Sequence, residues 1–123
     1  MTYDQYLDNI PKIKNNNIIY SSLVSLLPLF PLSIKLMTRK NRGKKPYSLE
    51  FKYEEKVEQI KKIDSLVRES LDNQKYETTL IDSLKLFIQI LAEAKNEIKN
   101  IGLQNDFVHM INETKIIVDL LSN

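Results

Sequence analysis

An apolar stretch near the N-terminus constrains how this chain can fold. The segment from Ile18 to Met37 is mostly apolar, and no charged residue lies between Asn15 and Ile34. A transmembrane helix needs about 17 to 25 mostly apolar residues, so the segment is long enough to span a bilayer. A buried helix of a soluble bundle can have the same composition. The sequence leaves both interpretations open.

Two prolines argue against an uninterrupted helix here. Pro28 and Pro31 lack the backbone N–H donor, and they disfavour helical geometry in the residues before them. In hydrocarbon, each freed backbone group needs another partner. The alternative to a span is a short helix from Ile18 to Leu27, followed by an extended segment packed on a soluble core. A signal sequence is less favoured, because no basic residue lies near the start and no small-residue cleavage motif follows.

A cluster of basic residues follows the apolar segment, consisting of Arg39, Lys40, Arg42, Lys44 and Lys45. Positive charge beside a span favours the cytoplasmic side, which predicts an external N-terminus and a cytoplasmic C-terminal region. The cluster also suits an anionic lipid surface. Nucleic acid is the weaker candidate partner, because only Tyr47 lies close by as a stacking aromatic. A solvated basic loop is the plain alternative.

These two features supply the predicted membrane or partner contacts. The predicted contact residues are Leu23, Leu26, Leu27, Leu29, Phe30, Leu32, Arg39, Lys40, Arg42, Lys44 and Lys45. We predict that residues 1–46 form a short helix ending at Pro11, the apolar segment and a basic linker. Residues 47–123 are predicted to form a helical bundle.

Apolar residues recur at steps of three and four through the second region, which predicts three amphipathic helices. Their predicted bounds are Ser48 to Leu71, Asp72 or Thr79 to Ile101, and Asn105 or Asp106 to near Asn123. The middle helix has the densest apolar stripe, formed by Leu80, Leu84, Phe87, Ile88, Leu91, Ala94, Ile98 and Ile101. Gly102 is its predicted left-handed C-cap. The fold class is therefore all-α, an antiparallel bundle of about four helices with an N-terminal apolar segment interrupted by prolines.

The outer face of the first amphipathic helix is predicted to be solvated and charged. Glu58 with Lys62, and Asp64 with Arg68, have the acid-first i,i+4 spacing that stabilises a helix.

The sequence contains no catalytic or metal-binding constellation that we can assemble. The chain has no cysteine and one histidine, His109, so the usual zinc ligand sets are excluded. Two glycines cannot build a glycine-rich phosphate loop. No nucleophile, base and orienting group can be combined. We therefore expect no cofactor and no enzymatic activity.

One group of segments carries a family resemblance. The segments are Lys52 to Glu55 at the start of a helix, Asn73 to Glu77, Leu84 to Ile90 and Ala94 to Ile98. Over roughly Lys52 to Ile117, the chain resembles the enterocin A immunity type of bacteriocin immunity protein. The resemblance implies a non-enzymatic antiparallel four-helix bundle at the inner face of the producer's membrane, acting against a pore formed by bacteriocin and sugar permease.

The chain departs from this family in two respects. It has a long N-terminal section with the apolar segment, and it lacks the family's longer tail after the last helix. That tail is tied to target recognition in the family, so the departure leaves the target open. No individual binding residue is carried over.

Two classes of function follow from these observations. The first is self-protection or regulation at or near the cytoplasmic face of a membrane, with a protein partner such as a permease. The second is a soluble cytoplasmic scaffold or adaptor that pairs with partner helices.

Overall fold

The computed structural model describes residues 18–38 and 51–122, and all regular structure in these two ranges is helical. The helices are α1 over residues 18–26, α2 Leu29–Thr38, α3 Tyr53–Asn73, α4 Thr78–Glu97 and α5 Ile101–Ser122. The predicted all-α class is confirmed. The predicted helix before Pro11, the basic cluster and the boundary between residues 46 and 47 lie outside the described residues.

The helices enclose one apolar core. Residues 98–100 alone join α4 to α5, so these two helices run antiparallel, and they share the most extensive interface. Helix α3 packs against α4, and α2 packs against α3 and the edge of α5. Across the core, the Phe30 ring of α2 lies 4.8 Å from the Phe87 ring of α4. The apolar N-terminal segment therefore shares its core with the other helices.

The two prolines interrupt the N-terminal helix without producing an extended segment. A turn at residues 27–28 separates α1 from α2, and Pro31 lies in the first turn of α2. The N–H groups of a first turn have no partner within their helix, so a proline there removes no helical hydrogen bond. The predicted extended segment is wrong for this reason. Phe30 is helical although it precedes a proline.

The connection between α4 and α5 also differs from the prediction. Helix α4 ends at Glu97, and Gly102 lies in the first turn of α5 instead of capping α4. The Asn100 side chain accepts a hydrogen bond from the Leu103 N–H at 3.1 Å, the pattern of an N-cap. This cap begins α5 before the predicted start. With this connection between the helices, the Ile101 side chain is exposed, while the Ile98 side chain is buried.

The apolar stripes are largely as predicted. In α4, Ile90 is fully buried and the predicted Ile88 is only partly buried. In α3, the Arg68–Asp64 ion pair forms at 3.0 Å, whereas Glu58 contacts Lys61 at 3.2 Å instead of the predicted Lys62.

Both ends of the α3–α4 connection differ from the prediction. Helix α3 runs through Asp72 to Asn73, so a helix starting at Asp72 is excluded. Gln74 then adopts left-handed geometry, and its N–H donates to the Leu71 carbonyl at 3.3 Å. Helix α4 begins at Thr78, one residue before the predicted Thr79.

Replacing a core leucine tests the assigned helix faces. Leu84→Ala should lower the free energy of unfolding by about 2 to 5 kcal/mol, because it leaves a cavity at a fully buried position. Leu86→Ala, on the exposed side of the same helix, is the matched control and should change it by less than about 0.5 kcal/mol. Urea unfolding measures both. Equal effects would contradict the assigned faces.

The left-handed residue after α3 gives a second stability test. Gln74 has φ 52°, a geometry that costs a side-chain-bearing residue about 1 to 2 kcal/mol. Glycine avoids this strain. Its greater conformational freedom in the unfolded state offsets about 0.4 to 1 kcal/mol of that gain. Gln74→Gly should therefore raise the free energy of unfolding by up to about 1.6 kcal/mol. Asn73→Gly, inside the helix, should lower it, and stabilisation by both changes would contradict the assignment.

Candidate functional site

Two of the depressions on the charged surface lie beside α3. One lies along α3 beside Glu58, Lys62 and Glu69, and another lies between α3 and α4 beside Lys56 and Glu93. In the second, Lys56 and Glu93 form an ion pair at 3.0 Å that joins the two helices. Within residues 18–38 and 51–122, no group of three His, Asp and Glu side chains is arranged to hold a metal ion.

The single histidine lies on the outer side of α5. The His109 side chain is largely exposed, and its Nε2 lies 4.0 Å from a carboxylate oxygen of Glu113, one turn away. The imidazole is therefore open to solvent.

Apolar side chains are exposed mainly on α1 and α2. Of the seven large apolar side chains exposed among the described residues, four belong to these two helices. We call this surface the uncharged face and define it as the exposed apolar residues Ile18, Tyr20, Val24, Pro28, Pro31 and Leu32, among which the exposed Ser21 and Ser25 also lie. Because no charged residue lies between Asn15 and Ile34, charge is absent along the whole of it. It is the natural candidate for a contact surface.

The predicted contact residues divide between the two sides of this helix pair. Leu23, Leu26 and Phe30 are buried in the core of this fold, and their predicted role as contact residues stays a prediction. Their burial completes the core beneath the helix pair. Leu27 and Leu29 are partly buried against that core, and Leu32 is exposed. The five basic residues lie outside the described residues.

Sequence reasoning missed most of the uncharged face. Tyr20, Val24, Pro28 and Leu32 recur at steps of four, so they share one side of the helix pair. The buried Leu23, Leu26 and Phe30 have the same periodicity on the other side. Because both sides are apolar, hydrophobicity alone could not assign one to the core. The small or imino side chains, Ser21, Ser25, Pro28 and Pro31, were the available signal for the outer side.

Three backbone donors around the helix break bond to carbonyl groups of the same chain. The Leu27 N–H donates to the Val24 carbonyl at 3.2 Å, and the Phe30 N–H donates to the Leu27 carbonyl at 3.3 Å. The Leu32 N–H donates to the Pro28 carbonyl at 3.2 Å. The Ser25 hydroxyl also donates a hydrogen bond, to the Ser22 backbone carbonyl at 2.6 Å. These donors can therefore meet an apolar environment without loss of hydrogen bonds.

By length and composition, Ile18–Thr38 is the one stretch of the described residues that qualifies as a membrane span. A core helix of a soluble protein and a signal sequence meet the same criteria. In this fold, one side of the stretch is buried among the other helices and the other side is exposed.

Tyr20 links the start of the uncharged face to the α3–α4 connection. Burial raises the pKa of the Tyr76 phenol above 10.0, and the nearby Tyr20 phenol raises it further. The first turn described in α1 therefore lies beside Tyr76.

Comparisons of this chain with known proteins give no relatives. No protein-family model matches it, and no curated protein or solved structure is significantly similar to it.

The tyrosine pair provides a test of how α1 packs in solution. Tyr20→Phe should lower the pKa of Tyr76 while leaving it above 10.0, because the effect of burial remains. NMR titration of ring-labelled tyrosine measures this pKa, and Tyr53→Phe is the control that should leave it unchanged. Since the folded pKa exceeds the unfolded one, the stability from this group is complete below a pH of about 10 and falls above it. An unchanged pKa in Tyr20→Phe would mean that α1 does not lie beside Tyr76.

Proposed function

We propose that this protein is a non-enzymatic helical bundle that acts at the cytoplasmic face of a membrane. Its proposed biological role is self-protection against a bacteriocin, exerted with a protein partner such as a membrane permease. The observation that carries the proposal is the uncharged face, an exposed apolar strip on one side of an otherwise charged helical protein.

The surrounding charge supports a membrane over an unspecified apolar partner. Lys35 is exposed and ends the uncharged stretch, and the sequence adds five further cations between residues 39 and 45. Each Lys or Arg near an anionic membrane contributes on the order of 1 kcal/mol to binding. The outer side of α3, by contrast, mixes acids and bases, as in the ion pair of Arg68 with Asp64. An apolar strip followed by cations is typical of a protein that binds an anionic lipid surface.

The role in self-protection rests on the resemblance of Lys52 to Ile117 to the enterocin A immunity type. The packing of α3, α4 and α5 in one bundle agrees with the fold that the resemblance implies. Fold alone does not determine activity, so the role needs a biological test.

A soluble helical adaptor is the second candidate. The observation that favours it is the burial of Leu23, Leu26 and Phe30 in the core, which gives the N-terminal segment a structural role without any membrane. In that case a partner helix would cover the uncharged face.

Membrane fractionation at two salt concentrations distinguishes these candidates. Full-length protein should sediment with membranes in low salt and be released in high salt, because the Debye length falls from about 10 Å at 0.1 M to about 3 Å at 1 M. Replacing Arg39, Lys40, Arg42, Lys44 and Lys45 with glutamine should also release it. The matched control removes five other cations by replacing Lys62, Lys75, Lys85, Lys99 and Lys115 with glutamine.

The control variant has the same net charge as the cluster variant and should still sediment. Release of both variants would mean that overall charge, and not the position of the cluster, determines membrane binding. Soluble full-length protein in low salt would support the adaptor instead.

Protection is measured by expressing the chain in a bacteriocin-sensitive strain. Survival during bacteriocin challenge should rise in cells with the full chain and return to the level of empty vector in cells with the five-glutamine cluster variant. Equal survival with the full chain and the empty vector, at equal protein levels and across bacteriocins that use a sugar permease, would overturn the role in self-protection.

A further inference from the structure

We propose that α1 and α2 lie flat on one leaflet of an anionic bilayer, with the uncharged face turned to the lipid and the bundle core intact on the water side. This inference rests on the proposed function and specifies which surface meets the membrane and in what orientation.

The inner side of the helix pair is committed to the core. Leu23, Leu26 and Phe30 are almost completely buried, and Phe30 contacts the Phe87 ring at 4.8 Å. A transmembrane orientation would withdraw all of these side chains and leave Phe87 without its ring partner. Flat docking requires no change in the core.

The outer side has the form of an interfacial surface. The uncharged face runs over α1 and the first turn of α2, on both sides of the turn at residues 27–28. Interfacial helices immerse their apolar side by about 5 to 10 Å, to the boundary of headgroups and acyl chains. Val24 and Leu32 are each 41% exposed on this side. They can therefore enter that boundary while the buried side remains in the protein.

The charge next to the uncharged face favours a bilayer with anionic lipids. The described residues 18–38 contain no acid, and their one base, Lys35, is exposed at the end of the uncharged face. Tyr20 lies near the opposite end, where its ring and hydroxyl suit a membrane interface. A bilayer with anionic headgroups fits this order of apolar surface and cation. A neutral apolar partner would leave Lys35 without a counter-charge at the contact.

The absence of cysteine from the chain allows a direct test with single labels. Val24→Cys and Leu32→Cys carry an environment-sensitive fluorophore on the uncharged face. Leu86→Cys on α4 and Ile116→Cys on α5 are controls, since these two apolar residues are also exposed. The vesicles contain equal phosphatidylcholine and phosphatidylglycerol, with phosphatidylcholine alone for comparison.

With anionic vesicles, labels at residues 24 and 32 should shift to the blue and be quenched by spin labels near the headgroups more than by spin labels deep in the acyl chains. Labels at residues 86 and 116 should not change. Neutral vesicles should give little shift at any site.

Paired charge substitutions test the same orientation on the bilayer without an attached fluorophore. Val24→Glu with Leu32→Glu should weaken vesicle binding by about tenfold or more, because carboxylates at an immersed face oppose transfer from water. Leu86→Glu with Ile116→Glu introduces the same charge elsewhere and should change binding by less than about twofold, since these positions remain in water. Thermal unfolding of each variant checks that the fold is intact.

The alternative outcomes have separate meanings. Failure of the unmodified protein to bind any vesicle overturns the proposed membrane function together with this inference. Vesicle binding that leaves residues 24 and 32 in water overturns the inference alone. Quenching of these labels mainly by deep spin labels overturns it in favour of a span. Shielding of both labels without vesicles, together with a dimer in solution, overturns it in favour of a second copy of the chain.

Discussion

The packing of the N-terminal helix pair against the other helices is the constraint on which this structure depends. The Phe30–Phe87 ring contact joins α2 to the most extensively packed helix hairpin. Around that contact, Leu23, Leu26 and Met37 fill the interior of the bundle. Because one side of α1 and α2 is committed in this way, only the other side remains for an external partner. The same interaction thus holds the fold together and restricts where a membrane or protein can bind.

Much of the fold could be predicted from the spacing of apolar residues. The buried side of α3 agrees with the predicted stripe, because Val57, Ile60 and Val67 share one side of a helix with a charged opposite side. Helix ends were less predictable, since neighbouring residues compete to form them. Asn100 caps α5 and places Gly102 inside the helix, and Gln74 takes the left-handed position usually occupied by glycine. Both outcomes depend on local hydrogen bonds that periodicity does not encode.

The candidate site was predictable in location but not in orientation. Its segment is distinguished by the missing charge, and this is visible in the sequence. The sequence alone could not decide that Phe30 is buried and Leu32 is exposed, since both are apolar and both follow the prolines. Their orientation depends on the turn at residues 27–28 and on the packing of α2 against α3. The hydroxyl of Ser33 is buried as well, and it avoids an unsatisfied donor by bonding to the Phe30 carbonyl at 2.7 Å.

The distance along the chain between Phe30 and Phe87 has a consequence during protein synthesis. Ribosomes add about 5 to 20 residues per second, so Phe30 emerges several seconds before its ring partner exists. In that interval the inner, apolar side of α1 and α2 has no core to enter, and both sides of the helix pair are open to the surroundings. The nascent segment is therefore apolar on both sides until the helices that cover its inner side have been synthesised.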